Sequence, residues 1–190
     1  MALFWGEGPA VQVIGGDLRE ALARRLGELW GAGMLALGVV VAGALASYHP
    51  GDPSHFSAPG EAPLNWLGRP GAMLADPLMR FLGLGAWVLA AFPLAWGARF
   101  VLHEGEERVW ARVLLLPAAV ILAAVFASTH VPHPGWQLPL GLGGMYGDAT
   151  LGALIDLMPL GPGEAALWLS AMLAPLTVGV TALALGVTLA

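Results

Sequence analysis

Two residue types are missing from this 190-residue chain. It has no cysteine, which excludes a disulfide framework and any thiolate nucleophile or thiolate metal site within these residues. It has no lysine either: its eight basic residues are all arginine, at positions 19, 24, 25, 69, 80, 99, 108 and 112. A P-loop lysine and a Schiff-base lysine are thereby excluded. Charge of either sign is scarce, at 11% of residues against roughly 25% in soluble domains. The formal net charge is −5 and no basic patch occurs, which argues against nucleic-acid binding by these residues.

What the chain has instead is apolar length. With 57% hydrophobic residues, a water-soluble domain of this size could not cover its surface with so few charges. Four segments, about 30–48, 81–102, 109–127 and 165–190, have the length and apolar content of bilayer spans. None contains Asp, Glu or Lys. Arg99 and Arg112 fall near span ends, where snorkelling is cheap. Pro93, Pro117 and Pro175 each interrupt a span, which is tolerated in lipid when neighbours satisfy the freed carbonyl. The expected fold is therefore all-α, an integral membrane four-helix bundle.

The arginines set an orientation. Arg19, Arg24 and Arg25 precede the first span, and Arg99, Arg108 and Arg112 bracket the turn between the second and third. By the positive-inside rule both termini and that turn are cytoplasmic. The long connections, 49–80 and 128–164, then face outward with only Arg69 and Arg80 between them. Trp30, Tyr48, Trp66, Trp110 and Trp168 sit near span ends, as interfacial anchors do. An alternative for the first span is a signal-peptidase site at Ala44-Leu45-Ala46, although the run is as long as a spanning helix and lacks a polar flank.

Residues 1–29 read as a cytoplasmic leader. Within it, 17–29 has the pattern of an amphipathic helix, with Leu18, Leu22, Leu26 and Leu29 on one face. Asp17 and Glu20 suggest an acidic capping box. That helix is either a membrane-surface or partner-docking element or a cytoplasmic extension of the first span. In the span itself Gly38, Ala42 and Ala46 form a small-xxx-small series, with Gly27 and Gly31 below it. Such faces serve self-association or packing within the bundle.

The outward connections hold the polar constellation. His49, Asp52, His55, His130 and His133 would make a metal site if the two loops met, the basis of an alternative reading as a small four-span transporter or metalloenzyme. Against it, prolines break any helix that would align them, H-E-x-x-H is absent, and no ionisable residue lies deep in a span. Asp52-Pro53 and Asp76-Pro77 have a simpler expected role, a turn in which Asp caps the helix that Pro begins. Gly141-Leu142-Gly143-Gly144-Met145-Tyr146-Gly147 is glycine-dense, yet no basic helix start follows to make it a phosphate cradle. After it, Leu151, Leu154, Ile155 and Met158 predict a short amphipathic helix with Asp148 and Asp156 facing water.

Three clusters carry a family resemblance. The first is Ser47-Tyr48-His49-Pro50-Gly51-Asp52-Pro53-Ser54; the second runs from Asn65 through Gly68 and Gly71 to Asp76; the third is Gly143-Gly144-x-x-Gly147. Set among four spans in this order, they resemble the amino-terminal membrane domain of FtsK/SpoIIIE-type DNA translocases over about residues 25–190. The resemblance implies a bacterial inner-membrane protein at the division septum. It further implies division proteins as partners, a possible homo-oligomer, and a motor that uses ATP and Mg²⁺ to pump DNA. These residues carry no Walker motif, so the motor is expected outside them and no catalytic residue or cofactor is expected within. The expected role is a membrane anchor that helps couple cell division to chromosome segregation.

Overall fold

The structure, a computed structural model, describes residues 9–57, 62–103, 109–136 and 138–187. Arg108, the side chains of Asp17 and Leu18, and the last three residues of the fourth expected span lie outside that description.

No proline stands between Pro9 and Pro50, and the intervening Ala, Leu, Glu and Arg are strong helix formers. Helix α1 accordingly runs unbroken over Pro9–Ala46. Its 38 residues span about 57 Å, nearly twice the hydrocarbon thickness of a bilayer. The amphipathic helix expected over 17–29 is not a separate element but part of this rod. Backbone already helical at Asp17 also removes the expected capping box there. At the far end Ser47 bonds back to the Gly43 carbonyl through both its amide (3.1 Å) and its hydroxyl (2.7 Å).

Residues 68–80, expected to be loop, form most of helix α2 (Gly68–Leu82). Charged Arg69, Asp76 and Arg80 lower its hydropathy, while Ala72, Ala75, Asp76 and Met79 give it one buried face. Gly83 then adopts φ +54° and Leu84 donates its amide to the Leu142 carbonyl at 2.7 Å. That break, a 3₁₀ turn over Gly83–Ala86, separates α2 from α3 (Trp87–Leu102). Helix α4 covers Val109–Ser128, α5 Gly144–Asp156 and α6 Pro162–Ala184. The described residues contain helices and turns but no strand.

Among the described residues four helical segments are long and apolar enough to cross a membrane: Arg19–Ala46, Gly68–Leu102, Trp110–Ser128 and Pro162–Ala184. They alternate in direction and pack chiefly as two pairs, α1 with α3 and α4 with α6. The pairs are joined at one end by α2, the 3₁₀ turn and α5, hereafter the loop end. Between lipid-embedded helices apolar burial gives little drive, so close backbone approach matters more. A Cβ at Gly31 would sit 2.8 Å from the Gly97 carbonyl oxygen, and one at Gly38 2.6 Å from Leu94 Cγ. Gly85 meets α4 in the same way, 2.8 Å from the Val120 oxygen. At the loop end a cluster of Val41, Leu45, Ala75, Met79, Ala86 and Leu138 ties α1, α2 and the second connection together.

The opposite end holds a different lock. Trp96, 1% exposed, donates its indole N–H to the Ala184 carbonyl at 2.9 Å. Arg99 donates to the Gly186 carbonyl at 2.7 Å, and the guanidinium groups of Arg99 and Arg112 lie 5.8 and 5.5 Å from the Trp96 ring centre. Expected to snorkel, both arginines instead turn inward around Trp96. Arg99 there meets a carbonyl two residues past the end of α6, where no further helical turn supplies a partner.

Candidate functional site

The first and second sequence clusters fold into one polar knot beneath the loop end. Asp52 is 5% exposed and accepts two backbone N–H groups, Leu64 at 2.8 Å on Oδ1 and Asn65 at 2.9 Å on Oδ2. It does not cap a helix at Pro53, as expected; it binds the two halves of the connection to each other. Asn65, equally buried, donates its side-chain amide to the carbonyls of Ala44 (2.8 Å) and Ser47 (3.3 Å), the open end of α1. Its Oδ1 accepts the Leu67 amide at 3.1 Å and so turns the chain into α2. A Cβ at position 71 would collide with that same oxygen, which is why glycine stands there. Gly68 opens α2 with φ +64°, its amide donating to the Asn65 carbonyl at 2.8 Å.

Asp76 is the second centre of the knot. It was expected to cap a helix starting at Pro77, but α2 is already two turns old at that point. Its carboxylate is 2% exposed and accepts the Tyr48 hydroxyl (2.9 Å), the Arg80 Nε–H (2.7 Å) and the Ser54 hydroxyl. Arg80 also donates to Ser57 Oγ at 3.3 Å, and Ser57 in turn donates to the Pro50 carbonyl at 3.2 Å. Ser54 Oγ accepts the amides of Phe56 and Ser57, each at 3.1 Å. The negative charge is therefore matched by one guanidinium and surrounded by donors, the condition for a tolerable buried ion pair. Tyr48, expected as a lipid anchor, belongs to this knot. Burial first, then the hydrogen bond to Asp76 and its charge, hold the Tyr48 phenol well above its ordinary value.

The third cluster is a packing device. A Cβ at Gly143 or Gly147 would run into the Ala124 carbonyl and Ser128 Oγ. Gly144 takes φ +65° and packs its backbone on Arg80, Phe81 and Gly83. Asp148, expected to face water, accepts the Ser128 hydroxyl and the Gly141 amide, each at 2.6 Å. Asp156 is exposed, as expected. A nucleotide phosphate does not fit here, because the glycines are filled by protein and a carboxylate already occupies the loop's N–H.

The histidines stay apart. His49 Nδ1 accepts the Gly51 amide (3.2 Å) and His133 Nδ1 the Gly135 amide (2.9 Å), so each serves its own turn. His130 packs edge-on against Phe126, and His55 is exposed. Among the described residues no group of three His, Asp or Glu is placed to hold a metal ion. Among the described residues the alternative metal site built from His49, Asp52, His55, His130 and His133 is therefore not assembled: Asp52 is consumed by backbone amides, and His49 and His133 by their own turns. Of the span-one residues, Gly38 packs on α3 and Ala42 on the loop-end core, whereas Ala46 is exposed and Gly27 has nothing within 4 Å. Sequence reasoning missed Arg80 and Ser128. The Asp76/Arg80 spacing of four on a helix was the available signal for the first; Ser128 had none.

Comparison with known proteins addresses the family. The model of the 4TM region of DNA translocase FtsK/SpoIIIE matches residues 23–189. The chain belongs to that family. The DNA translocase FtsK of Bradyrhizobium diazoefficiens is 39% identical over 146 residues, 76% of this chain and 18% of that protein. That of Mesorhizobium japonicum is 36% identical over 146 residues, covering 75% of this chain and 16% of its own length. The Azospirillum brasilense protein is 31% identical over 148 residues, covering 77% and 24%. No solved structure matches. This FtsK/SpoIIIE membrane region is a multi-pass membrane protein, and it spans less than a quarter of the length of these relatives.

Proposed function

We propose that these helices are the membrane anchor of a DNA translocase, holding its motor at the inner membrane of a bacterial cell and at the division septum. The observation that carries this reading is the family match over residues 23–189, set beside a polar knot whose every carboxylate is engaged in holding loops to helices. Such a knot suits a scaffold. Both termini face the cytoplasm, in keeping with the arginines gathered at the end opposite the loops. The loop end faces outward, where Phe56, Leu64, Trp66 and Val131 are exposed to other division proteins. ATP, Mg²⁺ and DNA belong to the motor and not to these residues.

The test is a fluorescent fusion of the 190-residue chain in dividing cells. The expected result is a band at the septum that appears with constriction; uniform envelope fluorescence in dividing cells would overturn division-site anchoring. In the same cells, single cysteines at 103 and 133 report orientation, the second reacting with an impermeant maleimide and the first remaining silent.

A further inference from the structure

Three helix ends bring two cations together. Arg99 stands in the last turn of α3, Arg112 in the first turn of α4, and Gly186 two residues past α6. A Cβ built at Gly186 would lie 2.8 Å from Arg99 Nη1 and 2.6 Å from Arg112 Nη1, so both guanidinium groups converge on one point. Each carries its charge at every physiological pH, and like charges this close repel. Among the described residues neither arginine joins an ion pair. Arg99 donates to the Gly186 carbonyl, while Arg99 Nε and Arg112 Nη1 are buried without an acceptor among those residues. Trp96 offers its ring to both groups, but a quadrupole shared by two cations cancels no charge. The pair is built to receive an anion.

Depth and shape point to a lipid as its source. Trp30 and Trp110, 66% and 82% exposed, stand at this end of the bundle, the level at which indoles sit between hydrocarbon and headgroups. Neither arginine is fully buried, so the pair is within reach of the headgroup layer. Turned toward each other, the two guanidiniums suit one shared phosphate rather than two separate headgroups. A phosphate accepts the parallel N–H groups of a guanidinium fork, and two forks fit it better than one. Trp96 also lines an almost wholly apolar cleft of about 230 Å³ with Trp30, Met34, Phe92, Phe100 and Trp110. A cation pair and an apolar cleft thus meet at one side chain. A phospholipid carries both complements in one molecule; a soluble phosphate carries only the first.

We propose that Arg99 and Arg112 together hold the phosphate of an anionic phospholipid, with an acyl chain entering the cleft beside Trp96. The proposal rests on the multi-pass membrane fold and is independent of septal anchoring.

The test follows the melting temperature of the 190-residue chain in alkyl maltoside micelles, which contain no phosphate, as phosphatidylglycerol is added. A lipid that binds the folded state raises that temperature until the site fills. The wild type should rise and saturate, and Arg112→Gln should need at least about tenfold more lipid for the same rise. Arg24→Gln, an exposed arginine elsewhere, should match the wild type. Without lipid, Arg112→Gln should be no less stable than the wild type, because it relieves the repulsion and removes no described hydrogen bond. Should Arg112→Gln fail to fold, Arg112→Lys keeps the charge without the fork and should still bind several-fold more weakly.

An arginine variant that responds to phosphatidylglycerol as the wild type does overturns the proposal. Equal stabilisation by phosphatidylcholine overturns the anionic headgroup. Displacement of the lipid effect by an equal concentration of inorganic phosphate overturns the lipid source and gives the pair to a soluble phosphate. The combined change Glu104→Gln, Glu106→Gln and Glu107→Gln should leave the response intact. A response that arises only in that variant would mean that a carboxylate between α3 and α4 already fills the pair, and would overturn the proposal as well.

Discussion

Asn65 reaches back across the first connection to donate its side-chain amide to the Ala44 carbonyl, 2.8 Å away, so the second sequence cluster caps the helix that the first cluster leaves. Asn65→Ala strips that carbonyl and the Ser47 carbonyl of their partner and should cost about 1–3 kcal/mol of stability. Asn65→Asp keeps an acceptor for the Leu67 amide but loses both donors and sets a charge against two carbonyls. It should therefore be worse than alanine, as measured by denaturation in detergent micelles. An aspartate variant as stable as wild type would show the cap to be unimportant.

The ion pair of Asp76 and Arg80 predicts a non-additive pair of mutants. Asp76→Ala orphans a half-buried guanidinium and two hydroxyls, and should cost about 3–5 kcal/mol. Arg80→Ala leaves a buried carboxylate with two hydroxyl donors and should fall near the same value. The double mutant removes both charges, so its loss should be clearly less than the sum of the singles. Additive losses in a thermal melt would mean that the two residues act separately.

Tyr48 gives the knot a pH dependence with a definite sign. Its proton is held more tightly in the folded protein than in the unfolded chain. Its contribution is therefore fully present below the ordinary tyrosine value of about 10 and declines as pH rises above it, because only the unfolded chain then gains by ionising. Melting temperatures measured from pH 8 to 11 should decline above pH 10. Tyr48→Phe should flatten that decline and lower stability at neutral pH by about 1 kcal/mol.

Two glycines on the same helix should respond in opposite directions. Gly147→Ala drives a methyl into the Ala124 carbonyl and should destabilise by about 1–3 kcal/mol. Gly152→Ala meets nothing within 4 Å and should be neutral or stabilising by up to about 1 kcal/mol. Chemical denaturation of both variants in one detergent checks the contrast.

Metal removal should be silent. With His49 and His133 occupied by their own turns, EDTA is expected to leave the melting temperature unchanged. Tight stoichiometric Zn²⁺ binding lost on His130→Ala would restore the metal reading.

The spans were legible because unbroken apolar runs and flanking arginines need no tertiary information. The motif residues were legible as a family signature, but not their roles. Asp52 and Asp76 looked like helix caps because Pro follows each, yet both carboxylates find their main partners at long range, 12 and 13 residues on for Asp52 and 28 and 22 residues back for Asp76. Helix α2 was hidden for a related reason. The charges of Arg69, Asp76 and Arg80 lower the local hydropathy, and the four-residue spacing of Asp76 and Arg80 counts as a pair only once 68–82 is read as helix. The fate of Arg99 and Arg112 likewise depends on Trp96, which lies on another turn of α3 from Arg99 and on another helix from Arg112.

Helix α6 is held at its tip as well as along its flank. The flank packs mainly on α4, but the carbonyls of Ala184 at its end and Gly186 just past it are tied by Trp96 and Arg99 to α3, the helix whose glycine seam clasps α1. A pull applied at residue 187 would not simply peel α6 from its neighbour. The tension would enter α3 through two hydrogen bonds, cross the Gly31–Gly97 contact, and be shared with the longest rod in the fold, much as a mooring line bears on a cleat and the whole deck beneath it.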